Sequence, residues 1–311
     1  MHNKHVWMVG LAGLALVVAS CGGVTNTDDR PRVVVTTSIL ADIVANVVGD
    51  ELAVETLIGL GVDSHEFSPS AQQLASLAGA DLVVANGLGL EESLEVHLED
   101  AEANGTQVIR IGELIDPLPL GGGTDCSRGV PDEGTNSCDP HFWMDPTRVA
   151  EAGRQLARVL TDVGIEGDWE ARAIAFAGAM GDVDSGMMSR FEDIPAQDRL
   201  LVTNHESLGY LASRYGFEVV GVIIPGGSTL GDPSSADLAA LVAVIAERGV
   251  KTIFTDGPES AGLAEALASE VDRPVAIVPL FVESLGDSGS GAATVAEMLL
   301  TNAELIYQAL R

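Results

Sequence analysis

Basic side chains are scarce in this 311-residue chain: 16 Lys and Arg stand against 46 Asp and Glu, a formal net charge of −30. A surface of that sign repels nucleic-acid phosphates and anionic lipid heads, so no nucleic-acid partner is expected. Cysteine is nearly absent, three in all, and none of them forms a CxxC pair. A local zinc finger or ribbon is thereby excluded. No HExxH helix and no Ser-centred nucleophile elbow occurs, which removes two familiar hydrolase signatures. Long apolar runs are also missing, apart from Val6 to Ala19, which is too short to span a bilayer comfortably.

That single run, preceded by Lys4, reads as a signal peptide over residues 1–20. Its end, Val18-Ala19-Ser20-Cys21-Gly22, resembles the lipobox of bacterial lipoproteins, which makes Cys21 the expected lipidation site. Several acyl chains on one residue suffice for stable anchoring without a transmembrane helix. Residues 21–32, polar and carrying Asp28 and Asp29, then form a lipidated tether. The expected location is extracytoplasmic, anchored to the cell membrane by lipid. Loss of Lys4 takes the net charge to about −31. Solubility outside the cell explains such a charge; any pull on divalent cations is screened beyond about 10 Å in ordinary salt.

What the mature body does contain is an alternation of short β-branched runs and amphipathic stretches. Val33 to Val35, Leu82 to Val84 and Val108-Ile109 read as buried strands, and Ile39 to Val48 and Gln72 to Ala78 as helices. The pattern restarts with strands at Leu200 to Val202, Val219 to Ile224, Thr252 to Phe254 and Val275 to Val278. Helices at Leu208 to Leu211, Leu238 to Ala246 and Leu263 to Leu267 separate them. Between the two series, Thr147 to Val163 and Trp169 to Phe191 are helical with no strand between. The fold class is therefore α/β: two parallel-sheet βα lobes, residues 33–165 and 196–311, joined by a connecting helix over 166–195. Gly178, Gly181 and Gly186 weaken that helix by roughly 1 kcal/mol each relative to Ala and predict a kink. Ser68-Pro69, Asp145-Pro146 and Asp232-Pro233 each pair a capping side chain with proline at the first helical position.

Against this background His65, His141, His205 and Glu283 stand out, spaced 64 to 78 residues apart. Ligands so dispersed make a site where lobes meet, in the interlobe cleft. Three neutral imidazoles and one carboxylate suit a borderline-soft cation such as Zn²⁺ at about 2.0–2.2 Å. His97 lies in an acidic helix over Glu91 to Glu102 and reads as an ordinary surface residue, and His2 and His5 leave with the signal peptide. Asp63, Glu66, Asp139 and Glu206 flank the three histidines and are candidates to orient their rings. Cys126 and Cys138 bracket a Gly-, Asp- and Ser-rich stretch. In an exported protein such a pair is most simply a disulfide, with two thiolate ligands or two free thiols as the competing readings.

Several segments resemble those of the ZnuA/TroA-like family, the zinc- and manganese-binding substrate-binding lipoproteins of ABC transporters. Asp139-Pro140-His141-Phe142-Trp143-Met144-Asp145-Pro146 is similar to that family's DPHxWxDP motif. Asp63-Ser64-His65-Glu66-Phe67-Ser68-Pro69 resembles its first histidine segment, with Ser64 where proline is usual. Thr203-Asn204-His205-Glu206-Ser207-Leu208-Gly209-Tyr210, Asp232-Pro233-Ser234 and Phe281-Val282-Glu283-Ser284-Leu285-Gly286 resemble later signatures, and the likeness runs from Val33 to Arg311. It implies two α/β lobes joined by one long rigid helix, with His65, His141, His205 and Glu283 as metal ligands. Aspartate is common at the Glu283 position; the longer arm of glutamate allows binding through one or two oxygens. Leu120 to Cys138 departs from zinc members, which often carry a histidine-rich loop there; this chain has no histidine in that stretch.

A fully protein-coordinated ion leaves no room for chemistry, so capture rather than catalysis is expected. The expected function is that of the Zn²⁺-binding component of an ABC importer, working as a monomer with a permease and its ATPase, the ion being cargo. Mn²⁺ is the alternative cargo, favoured if Glu283 binds through both oxygens and water completes a larger shell. Two more distant readings are a metallohydrolase with Glu206 or Glu66 as base and an adhesion lipoprotein that a metal merely stabilises.

Overall fold

The computed structural model describes residues 30–122, 126, 138–257 and 261–311. Residues 1–20 and Cys21 lie outside them. The first lobe is built on strands β1 (Arg32–Val35), β2 (Ala53–Thr56), β3 (Leu82–Ala85) and β4 (Gln107–Arg110), all parallel in the order β2-β1-β3-β4. Val33, Val34 and Val35 are buried on both faces of the sheet, as expected of a central parallel strand. Strand β2, Ala-Val-Glu-Thr, is missing from the sequence reading because it has no β-branched run and sits at the sheet edge. Helices α1 (Ser38–Val48), α2 (Ala71–Ala78) and α3 (Glu95–Ala103) connect the strands. The acidic stretch enters its helix at Glu95, four residues later than its composition suggests.

Two long helices follow, α4 (Pro146–Asp162) and α5 (Trp169–Glu192). The glycines of α5 do not divide it. Trp169, Ala173, Phe176, Met180, Val183, Met187 and Phe191 recur every three or four residues and are buried along one side. Packing of that stripe against its neighbours outweighs the weak propensity of the glycines. One neighbour is α4, where Gly153 allows close approach: a Cβ there would stand 2.9 Å from the Phe176 ring.

The second lobe contains β5 (Leu200–Thr203), α6 (Gly209–Tyr215), β6 (Glu218–Val222), α7 (Ser235–Arg248), β7 (Thr252–Asp256), α8 (Ala261–Ser269) and β8 (Ala276–Leu280). Its strands form two parallel pairs, β5 with β6 and β7 with β8, and β5 lies beside β7. The final helix, α9 (Val295–Leu310), is capped by Thr294 and packs on α5 and α1.

Of the three proline-marked helix starts, only α4 begins as expected: Asp145 accepts from Thr147 N–H at 2.8 Å with Pro146 in the first turn. Helices α2 and α7 start two residues later, at Ser70 and Ser234. Each serine forms a capping box, Ser70 with Gln73 and Ser234 with Asp237, satisfying two helix-end donors at once. A proline adjacent to Ser68 or Asp232 offers no such reciprocal pair, so the reciprocal cap determines the start.

Candidate metal centre

His65 lies on the connection from β2 to α2, His141 immediately before a single 3-10 turn (Phe142–Met144) leading to α4, His205 two residues beyond β5, and Glu283 three residues beyond β8. Three of the four thus follow the carboxyl ends of parallel strands, where α/β folds open a crevice. His65, His141 and His205 are 1%, 0% and 0% exposed.

One donor atom from each of the four residues falls within 4.8 Å of the others. The Nε2 atoms of His65 and His141 are 3.4 Å apart, and those of His141 and His205 are 3.0 Å apart. Glu283 Oε1 lies 3.5 Å from Nε2 of His141 and 3.4 Å from that of His205, and Oε2 lies 3.9 Å from Nε2 of His65. Ligands of a tetrahedral ion at about 2.0–2.1 Å stand about 3.3–3.4 Å from one another, so this spacing matches a shared cation. Among the described residues, both oxygens of Glu283 are buried without a hydrogen-bond donor. A buried carboxylate is costly unless positive charge stands beside it, and a bound cation, or in its absence the charged imidazoles of His141 and His205, would offset it.

Electrostatics within the cluster are unequal. Burial alone would depress the His205 imidazole, but the Asp256 carboxylate, helped by Glu283, pushes it up to about 10. Burial likewise opposes the charged form of His141, and Asp139 with Glu283 raises it above its ordinary value. His65 is lowered by burial, which the nearby Glu283 charge only partly offsets. Burial disfavours the Glu283 anion, yet His141 and His205 hold its carboxyl well below the usual range.

The supporting groups explain this asymmetry. Asp139 Oδ1 lies 2.9 Å from His141 Nδ1 and accepts from the same residue's backbone N–H at 2.9 Å. Tyr210 in turn donates to the Asp139 carbonyl at 3.0 Å. Asp256 Oδ2 lies 2.6 Å from His205 Nδ1. Among the described residues His65 Nδ1 is buried with no hydrogen-bond partner, and Asp63 accepts from that residue's backbone N–H, at 2.8 Å. Of the flanking acids named from sequence, Asp139 orients a ring, Asp63 orients a backbone, and Glu66 is exposed. Among the described residues Glu206 makes no hydrogen bond to a ring of the cluster; its carboxylate faces Gly121. Asp256 escaped the sequence reading, although an acid at the carboxyl end of a predicted parallel strand is the signal that would have found it. His97, on α3, is outside the cluster.

Behind His141, Glu91 is fully buried and accepts from Thr36 Oγ1 at 2.5 Å and from the backbone N–H groups of Asn86 and Gly87 at 2.8 and 3.1 Å. Asn86 Nδ2 then donates to the Pro140 carbonyl at 3.1 Å, which fixes the residue preceding the ligand candidate. On the other side a disulfide joins Cys126 to Cys138, three residues before His141.

The family profile of ZnuA, zinc-uptake complex component A, periplasmic, matches residues 33–309. The zinc-binding protein TroA of Treponema pallidum is 30% identical over 293 residues, covering 91% of this chain and 90% of that protein. The manganese-binding lipoprotein MntA of Halalkalibacterium halodurans is 24% identical over 307 residues, with 96% and 95% covered. The solved structure of the periplasmic zinc-binding protein TroA superposes with a TM-score of 0.78 at 29% identity, covering 90% of this chain and 99% of TroA.

Proposed function

We propose, from the premise that the chain belongs to the ZnuA family of periplasmic zinc-uptake components, that its cargo is Zn²⁺ held by His65, His141, His205 and Glu283. Proteins of this family are metal-binding, substrate-binding components of ABC transporters and not enzymes, and they work with a membrane permease and its ATPase. That coarser function holds for this chain. The choice of Zn²⁺ rests on one observation: three imidazole nitrogens and a carboxylate oxygen converge at spacings that suit tetrahedral coordination. An N3O shell with protein at every vertex leaves the ion no vertex for substrate or water, which accords with carriage.

Mn²⁺ is the second reading, because both Glu283 oxygens face the imidazoles and a bidentate carboxylate with added water would build a larger, oxygen-richer shell. The names of the relatives include both metals. Affinity ranking alone does not separate the two, since Zn²⁺ binds more tightly than Mn²⁺ at almost any N/O site. The deciding experiment is metal analysis of protein purified without added metal, combined with X-ray absorption of the bound ion. Four-coordinate zinc at one ion per chain supports the reading, and manganese with five or more ligands overturns it. Acylation at Cys21, a monomeric body standing off the membrane on the tether of residues 21–32, and an extracytoplasmic position complete the proposal. The lipobox-like sequence and the lipoprotein name of MntA support it. No helix among the described residues is long and apolar enough to cross a membrane.

A further inference from the structure

Glu283 follows a strand of the second lobe, yet the bonds around it lead elsewhere. Phe281 is pinned to α9 through Asn302, whose Oδ1 accepts from Phe281 N–H at 2.9 Å and whose Nδ2 donates to the Phe281 carbonyl at 2.7 Å. Val282, Ser284 and Leu285 each have a partner in the first lobe. Trp143 Nε1 donates to the Val282 carbonyl at 2.9 Å. Gly61 N–H donates to Ser284 Oγ at 2.8 Å, and Leu285 N–H donates to Ser38 Oγ at 3.1 Å. The two hydroxyls are themselves 3.3 Å apart. Gly61 stands four residues before His65, Trp143 two residues after His141, and Ser38 opens α1. Val295 N–H then donates to Asp42 on α1 at 2.9 Å, so α9 is tied to the same body.

His205 is held differently. Its ring is oriented by Asp256 at the end of β7, its carbonyl accepts from Thr203 Oγ1 at 2.6 Å, and the next residue donates to the Gly226 carbonyl at 3.0 Å. Each of these partners is in the second lobe. The changeover between lobes falls between Leu280, whose carbonyl still accepts from Gly257 N–H at 2.9 Å, and Val282.

We infer that Ser284 and Ser38 are positioning residues that fasten Glu283 to the first lobe, so that His65, His141 and Glu283 form a preset three-donor seat and the second lobe supplies His205 alone. The inference rests on the reading that these four residues hold the ion. It assigns the two hydroxyls a role that neither plays by contact with the cargo: they fix the backbone on the C-terminal side of the carboxylate, at Ser284 and Leu285, while Trp143 holds the other side through Val282. Loading then amounts to seating the ion on three donors and adding a fourth from across the cleft.

The test uses the whole chain and Co²⁺, whose visible absorption reports ligand number and geometry. Ser284→Ala and the pair Ser38→Ala with Ser284→Ala are titrated beside wild type, with circular dichroism confirming the fold. Affinity is expected to fall roughly 10-fold for the single change, the lower end of what lost outer support costs, with altered absorption bands. Ser284→Thr, which retains the hydroxyl, is expected to restore both. Unchanged affinity and bands in Ser284→Ala and in the double variant would overturn the assignment. Hydrogen exchange on wild type gives the second measurement: residues 203–207 gain protection on loading while 282–285 are equally protected with and without Co²⁺. An equal change in both segments would refute the three-donor seat. Wild type that takes up no Co²⁺ would instead defeat the metal-binding reading itself, and the exchange pattern of the metal-free protein would still report on the clasp.

Discussion

The carboxylate of Asp256 sits 2.6 Å from Nδ1 of His205 and also accepts from Asn204 Nδ2 at 3.2 Å. It therefore selects which ring nitrogen of His205 faces the cluster and raises the basicity of that nitrogen. Asp139 does the same for His141, and among the described residues no carboxylate does so for His65.

Replacing Asp256 by Asn, or Asp139 by Asn, removes the negative charge while keeping the shape. Each change is expected to weaken Zn²⁺ binding about 10- to 100-fold, measured by competition against a chromophoric chelator. Equal affinity in wild type and both variants would mean that the carboxylates do not tune the ligands.

Proton competition gives the second prediction. With His205 pushed up to about 10 and His141 also raised, the metal-free cluster holds protons at neutral pH that an incoming cation must displace. Apparent affinity should fall as pH falls from 8 to 5.5. Calorimetry in two buffers of different ionisation enthalpy should reveal proton release, and identical heats would contradict it.

For the metal-free fold the sign is the opposite. A raised imidazole contributes stability that is full below its unfolded value of about 6.5 and is lost as pH rises through the folded value, about 10 for His205. The lowered Glu283 contributes stability present above its ordinary value and lost as pH falls through the depressed one. Metal-free protein should therefore melt at a lower temperature at pH 10.5 than at pH 7, a difference read by calorimetry. A higher melting temperature at pH 10.5 would count against the His205 contribution.

Glu91→Ala strips the acceptor from Thr36 and from two backbone N–H groups in one step. Leaving such buried donors unpaired is expected to cost about 3 kcal/mol, measured by denaturant unfolding. A loss below about 0.5 kcal/mol would show that water or a shifted backbone replaces the carboxylate.

Glycines of the two long helices separate by their surroundings. Gly178 and Gly181 have nothing within 4 Å of an added Cβ, so alanine at either should stabilise by about 0.5–1 kcal/mol. Gly153→Ala on α4 presses a methyl against Phe176 and should destabilise by about 1–3 kcal/mol. Thermal melts of the three variants distinguish these outcomes.

Legibility in the sequence followed the range of the interactions. Runs such as Val33 to Val35 and Leu82 to Val84 betray buried parallel strands because burial on both faces demands continuous apolar residues. The edge strand Ala53–Thr56 has no such demand and no such signal. The cap at Asp145 is local and readable, whereas at Ser70 and Ser234 the reciprocal partner three residues on decides, and the nearby proline does not. The unbroken course of α5 depends on contacts with other helices, which no count of its glycines reveals. Four dispersed residues chosen by type and context lie within 4.8 Å of one another, while Asp256 and the Ser38 to Ser284 contact, 246 residues apart, emerge only from tertiary assembly.

Helix α5, 24 residues and about 36 Å long, is bonded by its apolar stripe to α4 and α9 along its course. A beam glued down over that length has high flexural stiffness and no slack joint at which the halves can swing freely. Gaping wide by thermal motion alone is thereby made rare.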